Sequence, residues 1–220
     1  MKKMPNKEVV LMHIMNKRAE IRLVNNIYEQ TLKLISLYKL HDLSIPFTLK
    51  GNLGEFIVRA ELLRRFPKND IQFHGGAFPG ADIIVDNLKI QVKTQIKHPP
   101  KIFKNGFFDF ESCPTIKKSH LANGMCDILI LVILYPDDNF ACILKNNIYI
   151  FDRHDFKYFN PRLCWSGKSK GDYTIVNVLK VEGCPPKKLK ENIAHYDTSK
   201  YRTLFKTSKD NWGKITRYLT

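Results

Sequence analysis

Four side chains carry the chemistry this sequence has to offer: Glu55, Asp82, Gln91 and Lys93. Asp82 opens the stretch Asp82-Ile83-Ile84-Val85-Asp86-Asn87-Leu88-Lys89-Ile90-Gln91-Val92-Lys93-Thr94. Its middle, Asp86-Asn87, is a two-residue turn signal between alternating apolar residues. Closing a hairpin there opposes Val85 to Leu88, Ile84 to Lys89, Ile83 to Ile90 and Asp82 to Gln91. Side chains alternate along a strand, so Asp82, Gln91 and Lys93 share one face, and Ile83, Val85, Leu88, Ile90 and Val92 share the other. A carboxylate, an amide and an ammonium thus gather on one side of a ribbon whose back is sealed to a core. Asp82 supplies a hard oxygen for a divalent cation, and Gln91 can add a carbonyl oxygen. Lys93 can sit over a phosphate or orient a water beside the metal. An ordinary hairpin with an edge Asp and an exposed Lys would contain the same residues, so the motif by itself is a hypothesis.

A second element bears on it. In Gly51-Asn52-Leu53-Gly54-Glu55-Phe56-Ile57-Val58-Arg59-Ala60-Glu61-Leu62-Leu63-Arg64-Arg65-Phe66-Pro67, the residues Leu53, Phe56, Ile57, Ala60 and Leu63 fall at helical spacing. Pro67 stops the helix. Glu55 lies at the edge of that stripe, near the expected start. It is either a second carboxylate for the site or a first-turn Glu favoured by the helix dipole. Glu61 falls on another side and is expected to be solvated.

The Asp82, Gln91-x-Lys93 pattern after Phe78-Pro79-Gly80-Ala81 resembles the PD-(D/E)XK nuclease superfamily, in its Gln-x-Lys variant. The Gly51-x-x-Gly54-Glu55 helix start resembles the same superfamily's first helix. The resemblance covers about residues 51–97, and its departure is Gln91, where the commonest form has Asp or Glu. It implies a restriction-endonuclease-like α/β (α+β) fold, a central mixed β-sheet flanked by helices. One nuclease domain would fill residues 1–220, with an N-terminal helical arm at 1–45, a catalytic core at 51–151 and a basic C-terminal part at 152–220. It implies Asp82, Glu55 and Gln91 as ligands for one or two Mg²⁺ ions, and Lys93 as the group that orients the attacking water. The implied activity is Mg²⁺-dependent cleavage of double-stranded DNA, on the pattern of type II restriction endonucleases, which usually act as homodimers. Homing and repair nucleases of the same superfamily are alternatives, as is a non-catalytic basic protein that only binds nucleic acid.

Other elements must hold these residues in place. Residues 6–41 read as helix, with Ile21, Val24, Tyr28, Leu32 and Ile35 as one stripe and Asn25-Asn26 as a candidate break. That arm packs on the core or, as a minority reading, on a partner subunit. Ile71-Gln72-Phe73 reads as a first strand, followed by a glycine-containing loop with His74. Past Lys93, the segment 95–110 interleaves Gln95, Lys97, Lys101, Lys104 and Asn105 with aromatic residues, suiting either phosphate and base contacts or an inward-packed hairpin. Residues 115–122 read as a short helix offering Lys117 and Lys118 to DNA. Ile128 to Tyr135 is a continuous branched apolar run, expected as a strand buried on both faces. Pro136 to Asn139 should turn, Phe140 to Leu144 return, Lys145-Asn146-Asn147 turn again, and Ile148 to Phe151 form another strand. Ser166 to Asp172 is a basic turn in which Lys168 and Lys170 can grip a phosphate backbone; the strand-to-helix setting of a phosphate loop is missing. Trp212, Ile215 and Leu219 fall at helical spacing within a partly helical 196–220.

The whole composition agrees with an acidic partner. The 220 residues carry 36 Lys/Arg against 21 Asp/Glu, a net charge of +15, which favours a polyanion such as nucleic acid. The excess is steepest from residue 157 onward, with 14 basic and 5 acidic residues. The five cysteines (Cys113, Cys126, Cys142, Cys164, Cys184) are scattered, with no C-x-x-C. They signal neither a disulfide framework nor a zinc site and suit free thiols in a reducing cytoplasm. No stretch reads as a secretory leader or is long enough to span a bilayer, so no membrane partner is expected.

Overall fold

The computed structural model describes residues 7–74, 81–96, 115–117, 124–138, 140–156, 173–175, 203–204 and 206–219. The expected contacts of Lys97, Lys101, Lys104, Asn105, Lys118, Lys168 and Lys170 lie outside the described residues, as does residue 118–122 of the expected short helix.

Helix α1 runs unbroken over Lys7–Leu40. Asn25 and Asn26 do not interrupt it: both are exposed, while Val24, Leu32 and Ile35 are buried on the opposite stripe. Exposed amides can hydrate in place, so the apolar stripe carries the helix through them. Helix α2 spans Phe47–Arg65, beginning four residues before the expected Gly51, with Pro46 at its N-cap. Val58 and Leu62 are fully buried along with Leu53, Ala60 and Leu63. The helix closes at Phe66, whose N–H donates to Leu62 O at 2.8 Å, just before Pro67.

The sheet is mixed and five-stranded. It contains β1 (Ile71–Phe73), β2 (Ile83–Val85), β3 (Leu88–Ile96), β5 (Ile128–Pro136) and β6 (Ile143–Asp152), side by side in that order. β1, β2 and β3 form an antiparallel meander, β3 and β5 are parallel, and β5 and β6 are antiparallel. The architecture is therefore α+β, helices on a mixed sheet. β5 is buried along nearly its whole length, because it is paired on both sides and covered on both faces.

Two local expectations are corrected. Thr115–Lys117 is not helical but forms strand β4, which pairs with β7 (Tyr173–Ile175) in a separate two-stranded sheet. Cross-strand pairing of branched and aromatic residues outweighs the weak local helical signal there. Lys145-Asn146-Asn147 is not a turn: it lies inside β6, opposite Tyr135, Leu134 and Ile133. Among the described residues the chain reverses between β5 and β6, where Asp137 N donates to Cys142 O at 3.0 Å and Phe140 adopts φ 57°. Lys145 and Asn146 are exposed there, and buried Asn147 donates its Nδ2 to the Tyr135 hydroxyl at 3.3 Å, so these polar residues are accommodated in a strand.

The sheet separates two apolar layers. One gathers α1 and α2 residues with Ile83, Val85, Leu88, Ile90, Val92 and their neighbours on β5. The other, on the opposite face, contains Cys126, Leu129, Leu131, Ile133, Tyr149 and Phe151. After β6 come the short helix α3 (Arg153–Phe156) and, near the end of the chain, α4 (Gly213–Leu219). Trp212 and Ile215 are buried as the helical spacing requires. Arg65 stacks 4.8 Å over the Trp212 ring. Arg217 pairs with buried Asp152 at 2.9 Å, and buried Lys214 with Asp155 at 2.5 Å. His154-Asp155 is thereby an anchoring point for the chain's end. No described helix is long and apolar enough to cross a membrane.

Candidate active site

The hairpin positions the site, and its turn is tied down from outside. Asp86 takes φ 54°, a left-handed conformation that Asp tolerates better than most residues. Its carboxylate accepts from Asp70 N at 2.8 Å and Asn69 Nδ2 at 2.6 Å, clamping the turn to the α2–β1 connection. The register is Val85 to Leu88, Ile84 to Lys89 and Ile83 to Ile90, with Asp82 N donating to Ile90 O at 2.9 Å. Asp82 therefore lies beside Gln91, as the alternation requires.

Asp82 and Gln91 are both buried, at 7% and 4% exposure. Asp82 Oδ2 accepts hydrogen bonds from Val92 N at 2.7 Å and from Gln91 Nε2. Gln91 thus spends its amide nitrogen on holding Asp82, which leaves its oxygen as the atom able to face a cation. At the parent strand's other edge, Asp127 Oδ2 accepts from Lys89 N at 2.8 Å while Asp127 N donates to Lys89 O at 2.8 Å. This pair fixes the start of β3, and Arg153 pairs with the remaining Asp127 oxygen.

Glu55 reaches this group from α2. Burial first, then the charge of Asp82, pushes its carboxyl up to about 7, and Lys93 pulls in the opposite direction. Because α2 starts at Phe47, Glu55 sits beyond the first turn, where the helix dipole has faded. The dipole explanation for an acid at this position loses its force.

Gly54 sets the approach. A Cβ built there would overlap Thr94 Oγ1 and stand 3.0 Å from both Thr94 Cβ and Cγ2. Thr94 Oγ1 in turn donates to Gly51 O at 2.9 Å. Gly54 lets α2 lie directly on β3 at Thr94, one residue past Lys93, whereas a Cβ at Gly51 would meet nothing within 4 Å and only its carbonyl is used. The second glycine has a steric meaning that the sequence pattern alone did not state.

Gln95, expected among the DNA contacts, lies in β3. It is 2% exposed, and among the described residues its Oε1 has no hydrogen-bond partner. By register it lies beside Ile133 on the face that carries Gln91 and Lys93. Lys117 lies in β4 rather than on a helix. Glu61 is not simply solvated: it pairs with Arg64 at 2.7 Å and Arg65 at 3.0 Å.

Cys126 is a neighbour the sequence did not flag. It is fully buried, its Sγ donates to Ile128 O at 3.0 Å, and burial pushes its thiol up to about 12. The Gln91 backbone, Asp82 and Lys93 all act on it, so it forms part of the packed floor beneath the site. No free reactive thiolate is available there.

Among the described residues no group of three or more His, Cys, Asp or Glu side chains gathers to hold a metal. Asp82 and Glu55 are two carboxylates, and Gln91 adds an amide oxygen. That all-oxygen set suits Mg²⁺, which usually takes one or two carboxylates, several waters and substrate phosphate oxygens in place of a full protein cage. It does not suit zinc. No protein-family model, no curated protein and no solved structure matches this chain.

Proposed function

We propose that this protein is a Mg²⁺-dependent DNA endonuclease of the PD-(D/E)XK type, with a restriction-endonuclease-like fold, and that it acts as a type II restriction endonuclease on a short duplex sequence. The reading rests above all on one observation: the hairpin register sets buried Asp82 beside Gln91, with the Val92 N–H and the Gln91 amide holding its carboxylate, on the strand face that carries Lys93. A structural hairpin has no need to bury a carboxylate beside an amide and an amine, since burying a charge costs stability.

In this reading Asp82, Glu55 and the Gln91 oxygen hold Mg²⁺, and the bound ion would supply charge stabilisation for the scissile phosphate. The chain's own residues do the rest. Val92 N and Gln91 Nε2 fix the Asp82 carboxylate in one orientation. Lys93 orients the attacking water and offsets charge building on the phosphate oxygens. Water adds at phosphorus, one P–O ester bond breaks, and the departing oxygen leaves with a proton from solvent. The excess of basic residues draws in the duplex.

The test is incubation with long genomic DNA in Mg²⁺, followed by sequencing of the ends. Discrete fragments with a shared end sequence support restriction, and a single rare long site supports homing. Selective cutting of branched duplexes moves the reading to repair. Salt-sensitive binding with intact DNA under every metal condition overturns it in favour of a nucleic-acid-binding protein.

A further inference from the structure

Gln95 keeps an unused hydrogen-bond acceptor beside the candidate site. The side chain is buried, and its Oε1 is enclosed without a partner among the described residues. An unsatisfied buried acceptor costs stability, so one that a fold retains calls for a use. The sheet narrows what that use is. Across the sheet, the register partner of Gln95 on β5 is Ile133, which has no polar side-chain atom to offer. Beyond Ile133 lies Asn147 of β6, whose Nδ2 donates to the Tyr135 hydroxyl at 3.3 Å. Along β3, strand alternation makes Lys93 the next residue on the same face, about 7 Å away between Cα atoms. Gln91 stands ~13 Å away, so a cation held by Gln91 and Asp82 is out of the Gln95 amide's reach.

We propose that Gln95 is the positioning residue of Lys93: once duplex is bound, Gln95 Oε1 accepts one ammonium N–H and so aims the remaining donors at the attacking water and the scissile phosphate. The inference rests on the nuclease reading of the site. The chemistry of the two groups matches. Phosphate oxygens only accept hydrogen bonds, so a phosphate cannot satisfy Oε1, whereas an ammonium can. Lys93 has three such donors, and among the described residues its ammonium is held by no hydrogen bond or ion pair. Lysine also has more rotamer freedom to lose than most side chains, and an acceptor fixed in the strand two residues on removes much of it. Catalytic hydrogen bonds of this kind are often open in the free enzyme and close in the substrate complex. A methionine at position 95 would fill the same space and hold nothing, so the amide is kept for the reaction at the expense of the fold.

The experiment follows the lysine ammonium groups of the full chain by nitrogen NMR, beside single-turnover cleavage in Mg²⁺. The probe is a duplex carrying a site mapped from the protein's own plasmid cuts, held in Ca²⁺ so that it stays whole. In the wild type, adding that duplex should bring up one slowly exchanging ammonium signal, identified as Lys93 by its absence from Lys93→Ala. In Gln95→Met that signal should not appear, and the single-turnover rate should fall ~10–10²-fold while duplex affinity stays within about threefold. An amide that only supports the fold would leave the ammonium signal in place. Gln95→Leu repeats the test should the methionine variant fail to fold. Full-rate cutting by the Gln95 variant, or a Lys93 signal that survives the substitution, overturns the proposal and leaves the nuclease reading standing. A wild type that leaves DNA whole in Mg²⁺ overturns both.

Discussion

Replacing Gly54 with Ala tests how α2 is seated. In an exposed helix Ala is favoured over Gly by about 1 kcal/mol, so helix propensity alone predicts a more stable protein. The packing predicts the reverse. The new Cβ would overlap Thr94 Oγ1, and turning the Thr94 rotamer cannot remove the overlap, because Thr94 Cβ and Cγ2 both stand 3.0 Å away. Overpacking of this kind costs about 3 kcal/mol at its upper range, leaving Gly54→Ala destabilised by about 2 kcal/mol after the propensity gain. Thr94→Ala alone loses the hydrogen bond to Gly51 O, about 1 kcal/mol. The double variant keeps the propensity gain and removes Oγ1 and Cγ2, leaving only the tight 3.0 Å approach of the two Cβ atoms, and should lie within about 1 kcal/mol of wild type. The assay is a double-mutant cycle by urea unfolding, with a coupling of about 3 kcal/mol between the two positions. Mg²⁺-dependent cleavage should fall with Gly54→Ala and recover in the double variant, since Glu55 rides on the same turn. Additive effects, or a stabilised Gly54→Ala, would refute the claim that this glycine sets the approach of helix to strand.

Three further outcomes are expected. Glu55→Gln removes the repulsion between Glu55 and Asp82; in EDTA at pH 8 the variant should melt at or above the wild-type temperature while cleavage falls at least ~10²-fold, and an unimpaired rate would remove Glu55 from the site. Gln95→Met replaces a buried amide whose oxygen has no partner among the described residues by an apolar chain of similar size; thermal melts should show a gain of about 1 kcal/mol, or ~3 °C for a chain of this length, and a loss would mean that the amide is satisfied in solution. Lys214→Met leaves the partly buried Asp155 without its ammonium partner and should cost about 2 kcal/mol in urea unfolding, whereas a neutral result would detach the chain's end from the sheet.

The hairpin was readable in the sequence because strand alternation and the Asp86-Asn87 turn admit one register. Shifting it by one residue would send Ile83, Val85 and Ile90 to the polar face. β5 was equally plain, since nine nearly unbroken apolar residues fit only a strand with neighbours on both sides. The α2 boundary was misplaced because Gly51 resembles a start signal, while the close approach of helix to strand is made at Gly54, against Thr94 40 residues away. Thr115–Lys117 and Lys145–Asn147 were misread for a related reason: their conformation is set by distant strand partners, Tyr173–Ile175 and Ile133–Tyr135. Gln95 is the opposite case. Its residue type suggested contact with bases, and only the packing around β3 reveals that it is enclosed.

The central claim, that Asp82, Glu55 and Lys93 form one site for a cation and a phosphate, is tested most directly by supercoiled plasmid cleavage alongside filter binding of a duplex in Ca²⁺. The wild type should cut in Mg²⁺ and not in EDTA. Asp82→Ala and Lys93→Ala should each lower the rate by ~10³-fold or more while duplex binding stays within about threefold. Full cutting by either variant, or cutting by the wild type in EDTA, would contradict the account.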